Sequence, residues 1–358
     1  MTAGADAPDG RRRTRGSGAS TVQDVAAEAG VSPMTVSRVL SGAQHVRPEL
    51  RERVEAAVLH LGYHRDENAR SLRRRRSGLI GVTITNIANP YYAGLQRGIE
   101  EVAARHERRI LVGNSNEDPV RERQLVGDFV GRRVEGLVVV PSGQGPATHL
   151  QPKALGGVPL VLASRAVEGV DADTVLIDDV RGAYEAATLL LREGHTRIAF
   201  LGNRVSVFTG QRRFAGFRQA HEEAGVPVVG ELVRQGQQDV DSAREAMTEL
   251  LALDDPPTAV FTANNRNTLG AIRAIAVAER DRSGAGGRRQ TRVVGFDSFE
   301  LADLSPVALS LVDHDAEELG RQAAEMLFER LEAAGEDEQQ APRLVELPVR
   351  LVEDVARL

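Results

Sequence analysis

From Leu79 onward the chain alternates short apolar runs with longer amphipathic stretches, and no other feature restricts the fold as much. The apolar runs are Leu79–Ile84, Arg109–Val112, Gly136–Val140, Pro159–Ala163, Thr174–Ile177, Ile198–Leu201, Ala259–Thr262 and Arg292–Gly295. Short and dominated by Val, Ile and Leu, they read as strands buried on both faces. Between them lie Tyr92–Arg105, Val120–Arg132, Gly182–Glu193, Gly210–Ala224, Ser242–Leu253 and Thr268–Arg280, with apolar residues at helical spacing. Repeated β-α units require parallel sheets covered by helices, and such sheets take ligands beyond the carboxyl ends of their strands. The roughly 280 residues from Leu79 suffice for two subdomains with a cleft between them.

The residues ahead of this body differ in composition. Through Arg76 there are 14 arginines against nine acidic residues, a net +5, which leaves −11 on the rest of a chain whose total is −6. That asymmetry suggests a basic module for an anionic partner joined to an acidic body. Arginine itself says little, because Lys153 is the only lysine. Residues 1–20 are rich in Gly, Ala, Asp and Arg, lack the apolar stretch of a signal peptide, and are expected to form a disordered tail. With no cysteine and no membrane-length apolar run, the chain is expected in the reducing cytoplasm.

Three short helices follow the tail. Thr21 with Asp24 has the spacing of a capping box and Gly30 ends the first helix; Ser32-Pro33 starts the second, which runs to Leu40; the third runs from near Pro48 to Gly62. Gly30-Val31-Ser32 is the short turn that a helix-turn-helix needs. Pro33, Met34, Thr35, Ser37 and Arg38 then face outward while Val36, Val39 and Leu40 face inward. Arg38 suits a guanine edge, Thr35 and Ser37 suit bases or phosphates, and Met34 suits a thymine methyl. Taken alone, any amphipathic helix with a polar outer face would show the same division.

The run Thr21-Val22-Gln23-Asp24-Val25-Ala26, Ala29-Gly30-Val31-Ser32 and Thr35 to Gly42 resembles the DNA-binding headpiece of the lac repressor family. The likeness continues through Arg51-Glu52-Arg53-Val54, Leu61-Gly62-Tyr63 and Ala69-Arg70-Ser71-Leu72 into the body. It implies an all-α helix-turn-helix headpiece, and beyond it a periplasmic-binding-protein-like α/β core of two doubly wound subdomains. It also implies a homodimer on palindromic operator DNA, read by Thr21, Ser32, Pro33, Met34, Thr35, Ser37 and Arg38. Ala69 and Leu72 would belong to a hinge helix formed on the operator, with Leu72 wedged into a base step. Arg65-Asp66 departs from the family's Pro-Asn pair, although Asp66 can still cap that helix. Arg73–Arg76 reads as a solvated linker that adds phosphate attraction.

In the body, polar residues stand where strands end: Tyr91 and Tyr92 in Asn89-Pro90-Tyr91-Tyr92, Ser164 and Arg165, Asp178, Asn264 and Asp297, with Arg213 on a helix after another strand. Carboxylates and an arginine aimed at one cleft suit a polyhydroxyl or heterocyclic effector. Singly, Asn264 and Asp297 would serve as helix caps and Arg213 as an ordinary salt-bridge partner. The resemblance implies effector contacts at Tyr91, Tyr92, Arg213, Asn264 and Asp297, with a sugar as the default ligand. Asn265 replaces the family's usual Asp, and Gly236–Asp239 lacks the aromatic residue often found there.

The expected organisation is a tail at 1–20, the helix-turn-helix at 21–65, a hinge at 66–77 and the body at 78–358. The body divides into a first lobe, 78–178 with 308–335, and a second lobe, 179–307 with 336–358. Leu344–Val352 reads as one final strand, and without a heptad tail after it a dimer is expected rather than a tetramer. No P-loop, GxGxxG after a strand, HExxH or nucleophile elbow occurs. His60 and His64 have the spacing of a metal pair, but Gly62 interrupts their helix. No cofactor and no catalysis are expected. A solute-binding protein has no use for the headpiece, while an activator or a co-repressor-dependent regulator would use the same parts.

Overall fold

A computed structural model describes residues 20–41, 43, 46–63, 77–143, 146–282, 290–333 and 341–355. The expected hinge at 66–77, with Ala69 and Leu72, lies outside them except for Ser77. The chain divides into two compact units, Met1–Arg74 and Arg75–Leu358.

In the first unit the local signals and the helices agree closely. Helix α1 is Val22–Ala29, α2 is Pro33–Leu40 and α3 is Pro48–Leu61. Thr21 and Asp24 form the expected reciprocal capping box, and Gly30 ends α1 in the left-handed region at φ 61°. Ser32 accepts from the Thr35 amide and Pro33 takes the first helical position. The three helices enclose a core of Val25, Ala26, Ala29, Val36, Val39, Val54 and Ala57. His60 Nδ1 lies 3.0 Å from Glu28 Oε1, a surface contact between α3 and α1, and His64 lies outside the described residues.

The second unit holds two six-stranded sheets. The first contains β1 (Leu79–Ile84), β2 (Arg109–Asn114), β3 (Gly136–Val139), β4 (Leu160–Ala163), β5 (Asp173–Ile177) and β11 (Leu344–Leu347), in the order β11-β5-β4-β3-β1-β2. The second contains β6 (Ile198–Gly202), β7 (Val233–Gln235), β8 (Ala259–Thr262), β9 (Arg292–Phe296), β10 (Leu309–Asp313) and β12 (Arg350–Val352), in the order β12-β10-β9-β8-β6-β7. The two orders are the same permutation, so the body is an internal structural duplication in which β4 corresponds to β9 and β1 to β6. The described pairings are parallel except β10 with β12.

Two strands change the expected division into lobes. Leu309–Asp313 pairs with β9 and belongs to the second sheet, although its neighbouring helix Ala316–Ala333 packs on the first. The final apolar pattern is not one strand. Leu344–Leu347 pairs with β5 in the first sheet and Arg350–Val352 with β10 in the second. Pro348 stands between them, and its missing N–H suits a break in the ladder where the chain changes sheets. The chain therefore crosses between lobes three times: after β5, after β10 and at Pro348.

Both lobes close through glycine. A Cβ on Gly98, in helix Pro90–Arg105, would lie 2.0 Å from the Glu317 carbonyl oxygen, and one on Gly216, in helix Phe208–Glu223, 2.1 Å from the Val180 carbonyl oxygen. Helix axes this close tolerate no side chain at the crossing. Gly98→Ala is expected to cost about 1–3 kcal/mol, read as a lower urea midpoint with the far-ultraviolet spectrum retained.

Candidate functional site

In the first unit the exposed side of α2 carries Pro33, Met34 and Arg38, with Met34 65% exposed. Arg38 has no ion-pair partner among the described residues, and Thr35 and Ser37 are half-buried beside it. Two other predicted contacts have capping roles. The Ser32 hydroxyl accepts from the Thr35 amide at 3.1 Å and lies 2.9 Å from the Thr35 hydroxyl. The Thr21 hydroxyl donates to Asp24 at 2.8 Å and accepts from its amide at 3.3 Å.

In the second unit the carboxyl ends of both sheets border a cleft with about 780 Å³ of empty space, including space open to solvent. Of the eight predicted effector residues, seven line it: Tyr91, Tyr92, Ser164, Arg165, Arg213, Asn264 and Asp297. Asp178 does not. Its carboxylate accepts from the Arg181 amide at 3.1 Å and caps helix Asp179–Arg192. The adjacent carboxylate serves the cleft from behind: Arg213 Nε donates to Asp179 Oδ1 at 2.7 Å.

Arg213 is the centre of a buried network. Its Nη1 donates to the Ala263 carbonyl at 2.5 Å, its Nη2 lies 3.2 Å from Asp297 Oδ1, and its guanidinium sits 3.7 Å over the Phe296 ring. His314 Nε2 approaches the same Asp297 oxygen at 3.0 Å. Burial opposes ionisation of Asp297, but Arg213 and His314 outweigh it and hold the carboxyl at about 2. Asp179 goes the other way, pushed up by burial that Arg213 only partly offsets. In the other lobe Arg165 donates to both Glu117 oxygens at 2.8 Å and to the Pro141 carbonyl at 3.1 Å. Tyr91 donates to the Ser164 hydroxyl at 2.9 Å, and its own proton is held on by burial.

Ser164 and Asp297 occupy corresponding places at the ends of β4 and β9, and both are left-handed, at φ 65° and 67°. Side chains in that region cost energy, and strain at both strand ends marks them as positions where the backbone is bent to aim a group. Asn264 caps the next helix, its oxygen accepting from the Asn267 amide at 2.8 Å, while its nitrogen donates to Asn203, another residue of the cleft lining, at 3.0 Å. The lobes also touch. Asn265 donates to Asn89 Oδ1 at 2.8 Å and Arg266 to the Ala88 carbonyl at 3.3 Å.

Sequence reading missed Glu117, Asn203, Arg204 and Arg266 in the lining, and His314 behind it. The duplication would have found some of them, because the loop after β6 corresponds to the loop after β1.

A helix-turn-helix unit on the same chain as a two-lobed body with a polar cleft defines a ligand-responsive DNA-binding regulator. Residues 21–66 match the model of bacterial regulatory proteins of the lacI family, and residues 77–354 that of the periplasmic binding proteins and sugar binding domain of the LacI family. Catabolite control protein A of Priestia megaterium is 31% identical over 332 residues, covering 92% of this chain and 97% of that protein. The HTH-type transcriptional repressor PurR of Mannheimia succiniciproducens is 30% identical over 312 residues, covering 87% and 92%. Among solved structures, the lac repressor dimer bound to operator and the anti-inducer ONPF superposes with TM-score 0.76 at 26% identity, covering 95% of this chain and 99% of that one. The complex of the transcriptional regulator CelR with cellobiose gives 0.67 at 28%, covering 94% and 99%. The chain belongs to the lacI family and is a sequence-specific DNA-binding transcription regulator.

The network sets a pH dependence. Asp297 titrates at about 2 in the folded protein against a value near 4 when unfolded. Its ionisation therefore favours folding above pH ~4, and that contribution disappears as the pH falls from ~4 towards ~2. Asp179, with its carboxyl raised, contributes in the opposite sense. Arg213→Ala is expected to lose about 3–5 kcal/mol at neutral pH, read by urea denaturation. The deficit should shrink as the medium is acidified, because the two carboxyls left behind protonate more readily.

Proposed function

We propose that this regulator is a cytoplasmic repressor that binds a palindromic operator as a homodimer and is controlled by a small polar effector of the sugar class in the cleft. The buried Arg213–Asp297–Asp179 network carries the reading: it holds an ionised carboxylate at the wall of a polar cleft, an acceptor suited to paired hydroxyls. Relatives with related functions support it, since one solved neighbour is a complex with cellobiose and another a dimer on its operator. No helix among the described residues is long and apolar enough to cross a membrane.

In this reading Met34, Thr35, Ser37 and Arg38 enter the major groove, while Thr21 and Ser32 present their hydroxyl-capped helix ends to phosphates. Residues 66–77 form the hinge, with Ala69 and Leu72 in the minor groove. Effector binding changes the balance between lobe arrangements through the contacts of Asn265 and Arg266 with the opposite lobe. An effector moves that balance only by its differential affinity for the two arrangements, and an inducer and a co-repressor differ only in which one they prefer.

Two outcomes are expected. On an operator selected from random DNA, Arg38→Ala should weaken binding by about 1–3 kcal/mol per half-site contact at fixed salt; unchanged affinity would remove Arg38 from the reading face. Asp297→Asn should keep operator binding but lose the response to whichever sugar shifts the parent protein, measured by fluorescence anisotropy on that operator. A variant that responds like the parent would remove Asp297 from the effector site.

A further inference from the structure

The charge balance of the cleft selects a narrower class of ligand. Six charged side chains line it: Glu117, Arg165, Arg204, Arg213, Arg266 and Asp297. Arg165 is bound on both oxygens of Glu117, and Arg213 is shared between Asp297 and, behind it, Asp179. Two guanidiniums are left over, and both belong to the second lobe. Arg204 follows β6 and Arg266 follows β8, two neighbouring strands, so both stand on the β6 side of the carboxylate at the end of β9, Arg266 one strand from it and Arg204 two. Arg204 is exposed and has no ion-pair partner among the described residues. Arg266 donates to the Ala88 carbonyl, but its Nε is buried without a partner. Asp239, a carboxylate that feels the charge of Arg266, is bonded to the Ser242 amide and hydroxyl of its own helix and offsets Arg266 in part.

Helix Phe208–Glu223 begins on the same side. Its N-cap residue, Val207, supplies no side-chain hydrogen bond, and both Val207 and the buried Thr209 line the cleft. Two guanidiniums beside the uncapped positive end of a long helix form a receptor for a group with several anionic oxygens. Most of the other lining residues, including Asn86, Asn203, Ser142 and Gln238, offer neutral donors and acceptors suited to hydroxyls. Resting on the effector reading above, we infer that the ligand is a phosphorylated sugar or polyol. Its hydroxyls lie towards Asp297 and its phosphate ester lies between Arg204 and Arg266.

Titration calorimetry on the full chain with inorganic phosphate, and with matched pairs such as glucose and glucose 6-phosphate or ribose and ribose 5-phosphate, tests this. Arg204 is exposed, so Arg204→Gln should fold as the parent does. Phosphate should bind the parent, and Arg204→Gln should weaken it about tenfold, the scale of one charge-assisted contact. Arg204→Lys should retain most of the affinity. In at least one pair the ester should bind more tightly than the neutral sugar. Equal phosphate affinity in parent and Arg204→Gln, or a neutral sugar or a sugar acid such as gluconate bound more tightly than every ester, overturns the inference. A neutral sugar that binds the cleft and shifts operator affinity overturns the anionic ligand but leaves the effector reading standing. An ester held through Arg204 without any effect on operator affinity does the reverse.

Discussion

A guanidinium buried against a sheet end must be neutralised where it lies, and the placement of Arg213 organises much of the body. Its partners come from separate segments: Asp179 from the first helix turn after the chain leaves the first sheet, Ala263 from the end of β8 and Asp297 from the end of β9. Asp297 in turn meets His314, the residue just past β10, where the chain returns to the first lobe. Two of the three inter-lobe crossings thus touch one charge network. Removing the guanidinium leaves two buried carboxyls without their shared cation in a site of low dielectric, which costs far more than the same loss on the surface. The network is therefore both the floor of the cleft and the fastening of the strands that hinge the lobes.

That double position suggests how occupancy reaches the rest of the chain. A ligand taking a hydroxyl to Asp297 draws on the carboxylate that holds His314, and the His314 ring lies 5.5 Å from that of Tyr91 in the first lobe. Tyr91 continues to Ser164, at the end of β4. A chain of contacts shows only that the parts are adjacent. The physical requirement is that two lobe arrangements exist and that the ligand favours one of them. The contacts of Asn265 with Asn89 and of Arg266 with the Ala88 carbonyl are made in the present arrangement and are lost if the lobes part.

The sequence revealed most of this architecture where local chemistry decides the outcome. The capping box at Thr21 and Asp24, the Ser32-Pro33 start and the Gly30 stop all depend on a few adjacent residues, and each formed as those residues dictate. Strand existence was equally legible from apolar runs, except for the three-residue β7 and for β10, hidden next to Pro306. Sheet membership was not legible. Nothing local in Leu344–Val352 says that its two halves pair with different sheets, because pairing is decided by which edges remain free after the other strands are placed. The expectation that Asp178 faces the cleft missed for a similar reason: adjacent carboxylates at a helix start differ only in direction, and the helix turn sends Asp178 to its own amides and Asp179 to Arg213.

The duplication explains why the site is asymmetric although its scaffold is not. Corresponding strand ends β4 and β9 carry Ser164 and Asp297 in the same left-handed conformation, so the backbone offers two equivalent sites and the side chains differentiate them. In the first lobe an arginine closes on the carboxylate of Glu117 and leaves neutral hydroxyls facing the cleft. In the second, an arginine stabilises a carboxylate that itself lines the cleft, while Arg266 and Arg204 follow strands one and two places away. A ligand that merely filled the space would gain nothing from this arrangement. One with hydroxyls at one end and negative charge at the other is oriented by it, and a fixed orientation lets a small molecule contact both lobes in only one of their relative positions.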